Sequence, residues 1–208
     1  MGRVSVEPAA YQEVKPWILT KHYARRMPCV QYAFKLLSEG RVVGIVTYGQ
    51  PASPWLCKGV AGDEYRKRVI ELNRLVVSSD APKNAASILV GRSLRQLPKG
   101  LFVVSYADAG GWNHVGYVYQ ATNFLYTGMT KKRTDIYSES GHSRHHCGDT
   151  SKRQLRTAKH RYITVTGNGS CKAHLMKLIR YPVLPYPKGE SRRYDVDNPI
   201  PVEETLLS

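Results

Sequence analysis

Two spacings of apolar residues, every second position and every third or fourth, recur along the chain. Residues 101–106 form a short apolar run rich in β-branched side chains, the mark of a buried strand. Gly110 and Gly111 break it, and Val115, Val118, Tyr119 and Thr122 then fall on one stripe, predicting a short helix over 114–124. A second strand-like run, 124–126, ends at Gly128. Strand, helix and strand make a compact crossover with Ser105, Tyr106 and Asp108 at its mouth, where open α/β sheets place ligands.

Residues 69–78 form the strongest strand of the chain. Plain alternation predicts Glu71, Asn73 and Leu75 on one face and Leu72, Arg74 and Val76 on the other. Polar groups inside so apolar a run need partners, either in a buried network or in a site. A turn follows, then a helix over 84–97 with Asn84 as its N-cap and small residues in its first turn. Free N–H groups and the helix dipole there suit an anion, and Lys83 stands beside them.

The remaining elements are lighter. Residues 4–6 read as a strand and a helical pattern runs through Tyr11, Val14, Trp17 and Ile18, with Pro16 predicting a break or kink. Two strand-like runs, 29–37 and 41–48, flank Ser38, Glu39 and Gly40 as a hairpin. Residues 55–68 read as an irregular surface excursion that lines a substrate site. A strand over 162–166, a helix over 171–179 and a Pro/Tyr-rich extended stretch from Tyr181 close the pattern. We read residues 1–189 as one α/β domain with a basic insertion at 129–160, followed by a tail at 190–208.

Charge changes the picture most. The 208 residues carry a formal +15, with a pI near 9.8, which favours an anionic partner, nucleic acid before others. The basic residues gather between 131 and 161, including Lys131, Lys132, Arg133, Arg144, Lys152, Arg153 and Arg156, in a segment poor in acids. We read it as a solvated loop that meets phosphates. His142, His145, His146 and Cys147 lack the paired spacing of a closed zinc site. From its spacing, His22 reads as a surface loop histidine. No stretch reaches the length of a membrane span, and four scattered cysteines fit reduced thiols in a cytoplasm.

The order of elements resembles the GNAT fold of N-acyltransferases. Asn84 to Ser87 stands where that superfamily binds a pyrophosphate, and Tyr119 and Phe124 match its Tyr-x-x-x-x-Phe pattern. The glycine usual before the phenylalanine is Asn123, and the phosphate loop departs from its consensus. The resemblance implies acetyl-CoA as cofactor, held by Val76, Val77, Asn84, Ala85, Ala86, Ser87, Asn123 and Tyr126, with Tyr119 protonating the departing thiolate. Longer words, ELNRLVV, VSYADAG, HVGYVYQATNFLYTG, KHRYI and YPVLPYPKG, resemble phage adenine-modification proteins of the Mom family.

That resemblance implies conversion of adenine in double-stranded DNA to N6-carbamoylmethyladenine, which shields phage DNA from host restriction. It also implies site residues His22, Tyr48, Glu71, Asn73, Arg74, Ser105, Tyr106, Asp108, Tyr119, Gln120 and Tyr126. The carbamoylmethyl group is joined through its methylene carbon, so attack on a thioester does not give it in one step. A different donor or a further redox step is needed, with iron on His22, Asp108 and a tyrosine as one option. The adenine amine needs a base such as Asp108 or Glu71, the adenine must leave the stack, and Tyr106, Trp112 or Trp55 offers a ring to hold it.

Other readings of these residues stay open. Tyr119 suits a plain core position, Glu71 and Arg74 suit a structural pair on neighbouring strands, and Asp108 suits a turn. An N-acetyltransferase acting on a protein or small molecule, or a non-catalytic DNA-binding protein on the same scaffold, are the competing functions.

Overall fold

The computed structural model describes residues 4–110, 114–136, 153–189 and 206–207. A seven-stranded mixed sheet forms the centre. β1 (Val4–Pro8), β2 (Tyr32–Ser38), β3 (Arg41–Gly49) and β4 (Val69–Val77) are antiparallel neighbours. β4 and β5 (Phe102–Asp108) are parallel, and β9 (Lys159–Val165) lies antiparallel between β5 and β6 (Leu125–Met129). The strand order is therefore β1-β2-β3-β4-β5-β9-β6.

Helices cover both faces because the strands are apolar on both. On one face α3 (Ala85–Gln96) and α4 (Tyr117–Ala121) pack Leu89, Val90 and Tyr119 onto Val46, Ile70, Leu72, Val103 and Phe124. On the other, α1 (Tyr11–Lys21) sets Val14 and Ile18 against Ile45 and Val76. Beside it α2 (Pro54–Ala61) and α5 (Gly169–Lys177) bury Cys57, Val60 and Leu175 against Val69, Phe102, Val104 and Ile163.

Three expectations are corrected here. The stretch read as irregular contains α2, started by Pro54 at its first position and by the Ser53 hydroxyl, which accepts the Leu56 N–H at 3.3 Å. α1 runs on through Pro16, which lies on its exposed side where water can solvate the freed carbonyl. The basic segment is not all loop, since β7 (Arg133–Ile136) and β8 (Arg153–Arg156) pair antiparallel as an outward continuation of β6 and β9, with β10 (Leu206–Leu207) beside β8.

The decisive departure from alternation lies in β4. Thr47 pairs with Arg74 and Tyr48 with Leu72, so Asn73 is an extra residue, a β-bulge. Glu71 therefore shares a face with Arg74 and Val76, whereas Leu72 shares the opposite face with Leu75. The predicted grouping of Glu71 with Asn73 and Leu75 is wrong, because one inserted residue shifts every later side chain to the other side. The Asn73 side chain accepts from the Thr47 hydroxyl at 2.7 Å and donates to the Cys29 carbonyl at 2.9 Å. Beyond the bulge the sheet divides. β4 and β5 are paired only over Val69–Leu72 and Phe102–Ser105; after that β4 follows β3 and β5 follows β9.

A proline-rich strap, residues 181–189, closes the sheet on the β6 side. The Leu184 N–H donates to the Tyr126 carbonyl at 2.9 Å, the Tyr186 hydroxyl to the Phe124 carbonyl at 2.7 Å, and the Tyr117 hydroxyl to the Gly189 carbonyl. Gly116, at φ +75°, begins α4 where a Cβ would stand 2.5 Å from the Tyr162 ring.

Asn73→Ala removes both anchoring bonds of the bulge and is expected to lower stability by about 1–3 kcal/mol. Gly116→Ala is expected to cost more, since strain and the Tyr162 clash add. Urea unfolding followed by circular dichroism measures both, and equal midpoints for N73A and wild type would refute the anchoring role.

Candidate active site

The site is built where β4 and β5 part. Asp108 ends β5 opposite Lys159 of β9. Its Oδ1 accepts the Thr157 hydroxyl at 2.5 Å and the Gly110 N–H at 3.2 Å, while its carbonyl accepts the His114 N–H at 2.7 Å. Gly110 has to be glycine for this arrangement, because a Cβ there would strike the Thr157 side chain. Two donors on one oxygen fix the rotation of the carboxylate.

Beside Asp108 lies a pocket of about 340 Å³, lined by Ser53 and Leu56 of the α2 start, Glu71, Tyr106, Lys131, Arg156 and Lys159. The loop after α1 is tied to β4 nearby. Arg74 donates through Nε and Nη2 to the Arg26 carbonyl at 3.3 and 3.1 Å, tying that loop to the bulge. His22 is buried, not a surface histidine; its Nδ1 accepts the Ala24 N–H at 3.0 Å and its ring packs 4.3 Å from that of Tyr23. The bonds of Arg74 and Asn73 that hold the loop close are what hide it.

The electrostatics follow from two carboxylates among several cations. Burial, then Arg74 and Lys159, push the His22 pKa down to about 3, so it is neutral. Lys159 is pushed down by burial, with Asp108 and Glu71 acting against that and Arg156 and Arg74 adding to it. Tyr23 is pushed up, first by desolvation of its hydroxyl and then by Asp108 and Glu71, against Arg74.

Tyr119 lies on the other face of the sheet. Burial raises its hydroxyl to about 12, a hydrogen bond with Ser105 opposes this, and Tyr23 and Glu71 add to the rise. Ser105 is fully buried and donates to the Leu72 carbonyl at 3.2 Å. Glu71, Arg74, Tyr106 and Asp108 are thus on one side, with Ser105 and Tyr119 on the other. Glu71 and Arg74 belong to the same strand, not to neighbouring ones.

Several predicted residues are not brought to this pocket. Tyr48 is fully buried in the core, its hydroxyl 2.7 Å from that of Ser93 on α3. Tyr126 pairs with His160 Nδ1 at 3.0 Å and packs on Tyr162, away from the start of α3. Val76 packs towards α1 and Val77 against the α3 core. Gln120 holds the strap, donating to the Pro187 carbonyl at 3.2 Å. Lys131 and Lys132 are exposed, and Arg133 and Arg153 begin β7 and β8. Arg144, Lys152, Trp112 and the His142–Cys147 grouping lie outside the described residues. Lys159, Thr157 and Tyr23 join the site without standing out in the sequence. The word KHRYI contains Lys159, but only the pairing of β9 with β5 puts it beside Asp108.

A larger groove of about 840 Å³ runs along α3 to the end of α4 and of β9. Asn84, Ser87 and Asn123 line it, together with Arg92, Arg95, Lys99 and Lys172. Ala85 is buried beneath it, and Ala86 lies in the same first turn. Asn84 does start α3, but in the left-handed conformation at φ +65° and without a side-chain cap. The size and the basic lining of this groove fit a phosphorylated cofactor such as acetyl-CoA. Nothing supports an iron site: among the described residues no three of His, Cys, Asp and Glu gather.

A mixed seven-stranded sheet whose parallel middle pair parts after Leu72 and Ser105, with helices on both faces, is the GNAT-like architecture expected from the order of elements. A sequence model of the Mom protein family matches residues 3–188, and the chain belongs to that family. Methylcarbamoylase mom of Escherichia phage Mu is 32% identical over 116 residues, 53% of this chain and 48% of that protein. The chain therefore spans about half the length of that relative in the match. Similar solved structures include an N-acetyltransferase from Staphylococcus aureus Mu50, at 16% identity over 79% of this chain and 99% of that one, TM-score 0.48. Another is a putative acetyltransferase from Salmonella typhimurium with its cofactor acetyl-CoA, at 10% identity over 81% and 97%, TM-score 0.48.

The depressed His22 pKa has a measurable consequence. Between pH 6.5 and about 3 the unfolded chain takes up a proton that folded His22 does not. This contribution to stability is complete above pH 6.5 and is lost as the pH falls towards 3, at up to about 1.4 kcal/mol per pH unit. His22→Asn keeps an acceptor for the Ala24 N–H and removes the titration, so its urea midpoint is expected to fall less steeply on acidification than that of wild type. Parallel curves would refute this account of His22.

Proposed function

We propose that this protein modifies adenine in DNA, converting it to N6-carbamoylmethyladenine and so protecting phage DNA from restriction. Membership of the Mom family over residues 3–188 is the observation that carries the reading. The name of the phage Mu relative, a methylcarbamoylase, agrees with it, as does a formal charge of +15 on the whole chain.

The residues around the pocket suit the adenine half of such a reaction. The exocyclic amine is a weak nucleophile because its lone pair is delocalised into the ring, so it needs a base as its new bond forms. Asp108, with its rotation fixed by Thr157 and Gly110, takes that proton in our reading. Glu71 lines the pocket itself, and Asp108 adjoins it through Thr157. Tyr106 supplies a ring for an adenine turned out of the duplex, at a cost of a few kcal/mol. Lys131 and Arg156 at the mouth, continued by the β7–β8 ribbon, meet the backbone phosphates.

On the other face, Asn84, Ser87, Arg95, Lys99 and Lys172 would hold the phosphates of acetyl-CoA, and Asn123 would border it. When bound, that cofactor supplies a thioester-activated acyl group. Tyr119, kept protonated by burial, would act as the proton donor at the gap between the faces. The carbamoylmethyl product is bonded through a methylene carbon, so its formation requires chemistry beyond acyl transfer to nitrogen.

Mass spectrometry of nucleosides from cells expressing the chain tests the whole reading. The modified deoxyadenosine is expected with wild type and absent with Asp108→Asn, while D108N still binds DNA with an unchanged salt dependence. Unmodified deoxyadenosine despite folded wild-type protein would refute the reading. Lys131→Ala with Arg156→Ala is expected to weaken binding about equally on unrelated sequences. The slope of log affinity against log salt should shrink by roughly 0.9 for each phosphate that the variant leaves without its cation. Ser87→Glu is expected to weaken acetyl-CoA binding in calorimetry while leaving DNA binding intact.

A further inference from the structure

We infer that Trp55 is a wedge that enters the base stack when the target adenine leaves it; this rests on the DNA-adenine reading above. Trp55 is 82% exposed, and among the described residues no other large apolar side chain is so open to water. It stands in the first turn of α2 between Ser53 and Leu56, both of which line the pocket beside Asp108. It is therefore at the rim, and Tyr106 is the ring inside.

The pedestal is stiff. Pro54 fixes the backbone torsion at the first helical position, the Ser53 hydroxyl caps the turn at Leu56, and Cys57 and Val60 anchor α2 in the core. The surroundings suit nucleic acid better than an apolar protein surface. Lys58 Nζ lies 6.0 Å from the indole centroid and is paired with Asp63 at 3.3 Å, while Lys131, Arg156 and Lys159 line the neighbouring pocket. An aromatic plate among phosphate-seeking cations matches a stack that has lost one base, since the plate replaces the lost stacking and the cations hold the backbone on either side.

The test uses the full chain and two duplexes of one sequence, one intact and one with a tetrahydrofuran abasic site, which offers the vacancy without any donor molecule. Wild type is expected to bind the abasic duplex about tenfold more tightly, within the range of aromatic–base stacking. Trp55→Ala should equalise the two duplexes while leaving affinity for the intact one, and its salt slope, unchanged. Trp55→Phe should keep part of the preference. So exposed a side chain leaves folding intact when truncated, which circular dichroism verifies. A preference that survives in W55A, or wild type without any preference, overturns the wedge. Wild type that binds neither duplex overturns the DNA reading itself.

Discussion

One inserted residue governs the architecture. Asn73 bulges from β4, and its side chain joins Thr47 of β3 to the Cys29 carbonyl. Next to it, Arg74 grips the Arg26 carbonyl. The bulge thus does two things together. It bends β4 away from β5, opening the sheet where a buried parallel pair would otherwise continue, and it fastens the loop that carries His22 and Tyr23 over the opening. The pocket lies where β4 and β5 part, and that parting begins at this departure from regular pairing.

The charge distribution around the opening has its own logic. Cations outnumber carboxylates there, yet His22 is neutral and Lys159 is pushed towards neutrality by burial. Asp108 and Glu71 thus act on Lys159 without a further full charge from the histidine beside them. A site of this kind attracts an anion at its mouth and still leaves a carboxylate available deeper in. Lys131 and Arg156 stand outermost, and the deeper groups are held by strand pairing and by Thr157.

Much of this was legible in the sequence. The β-branched runs gave β4 and β5, the apolar stripe gave α4 within two or three residues, and the word around Asp108 pointed to the end of β5. The facing of residues along β4 was not legible, because Asn73 fits plain alternation and its bulge arises from bonds to Thr47 and Cys29, distant in sequence. The burial of His22 depends on the same bonds. Tyr48 and Tyr126 show a different limit. A tyrosine near a strand end suits a site or a core equally well from spacing, and here Ser93 and His160 satisfy their hydroxyls inside the core. Lys159 was hidden for a topological reason, since β9 becomes the neighbour of β5 only after the chain has passed through the basic ribbon.

The strap and α3 also settle how the sheet ends. At one border the strap, with prolines at 182, 185 and 187, lies along β6 and commits its Leu184 amide to Tyr126. At the other, the Val4 and Val6 carbonyls of β1 are taken by the Arg92 and Gln96 side chains of α3. Proline offers no amide proton, and a side chain bonded to an edge carbonyl stands where an incoming strand would lie. Each margin is thereby partly covered by the chain's own groups, which lowers its readiness to add a strand from another copy when many are crowded together.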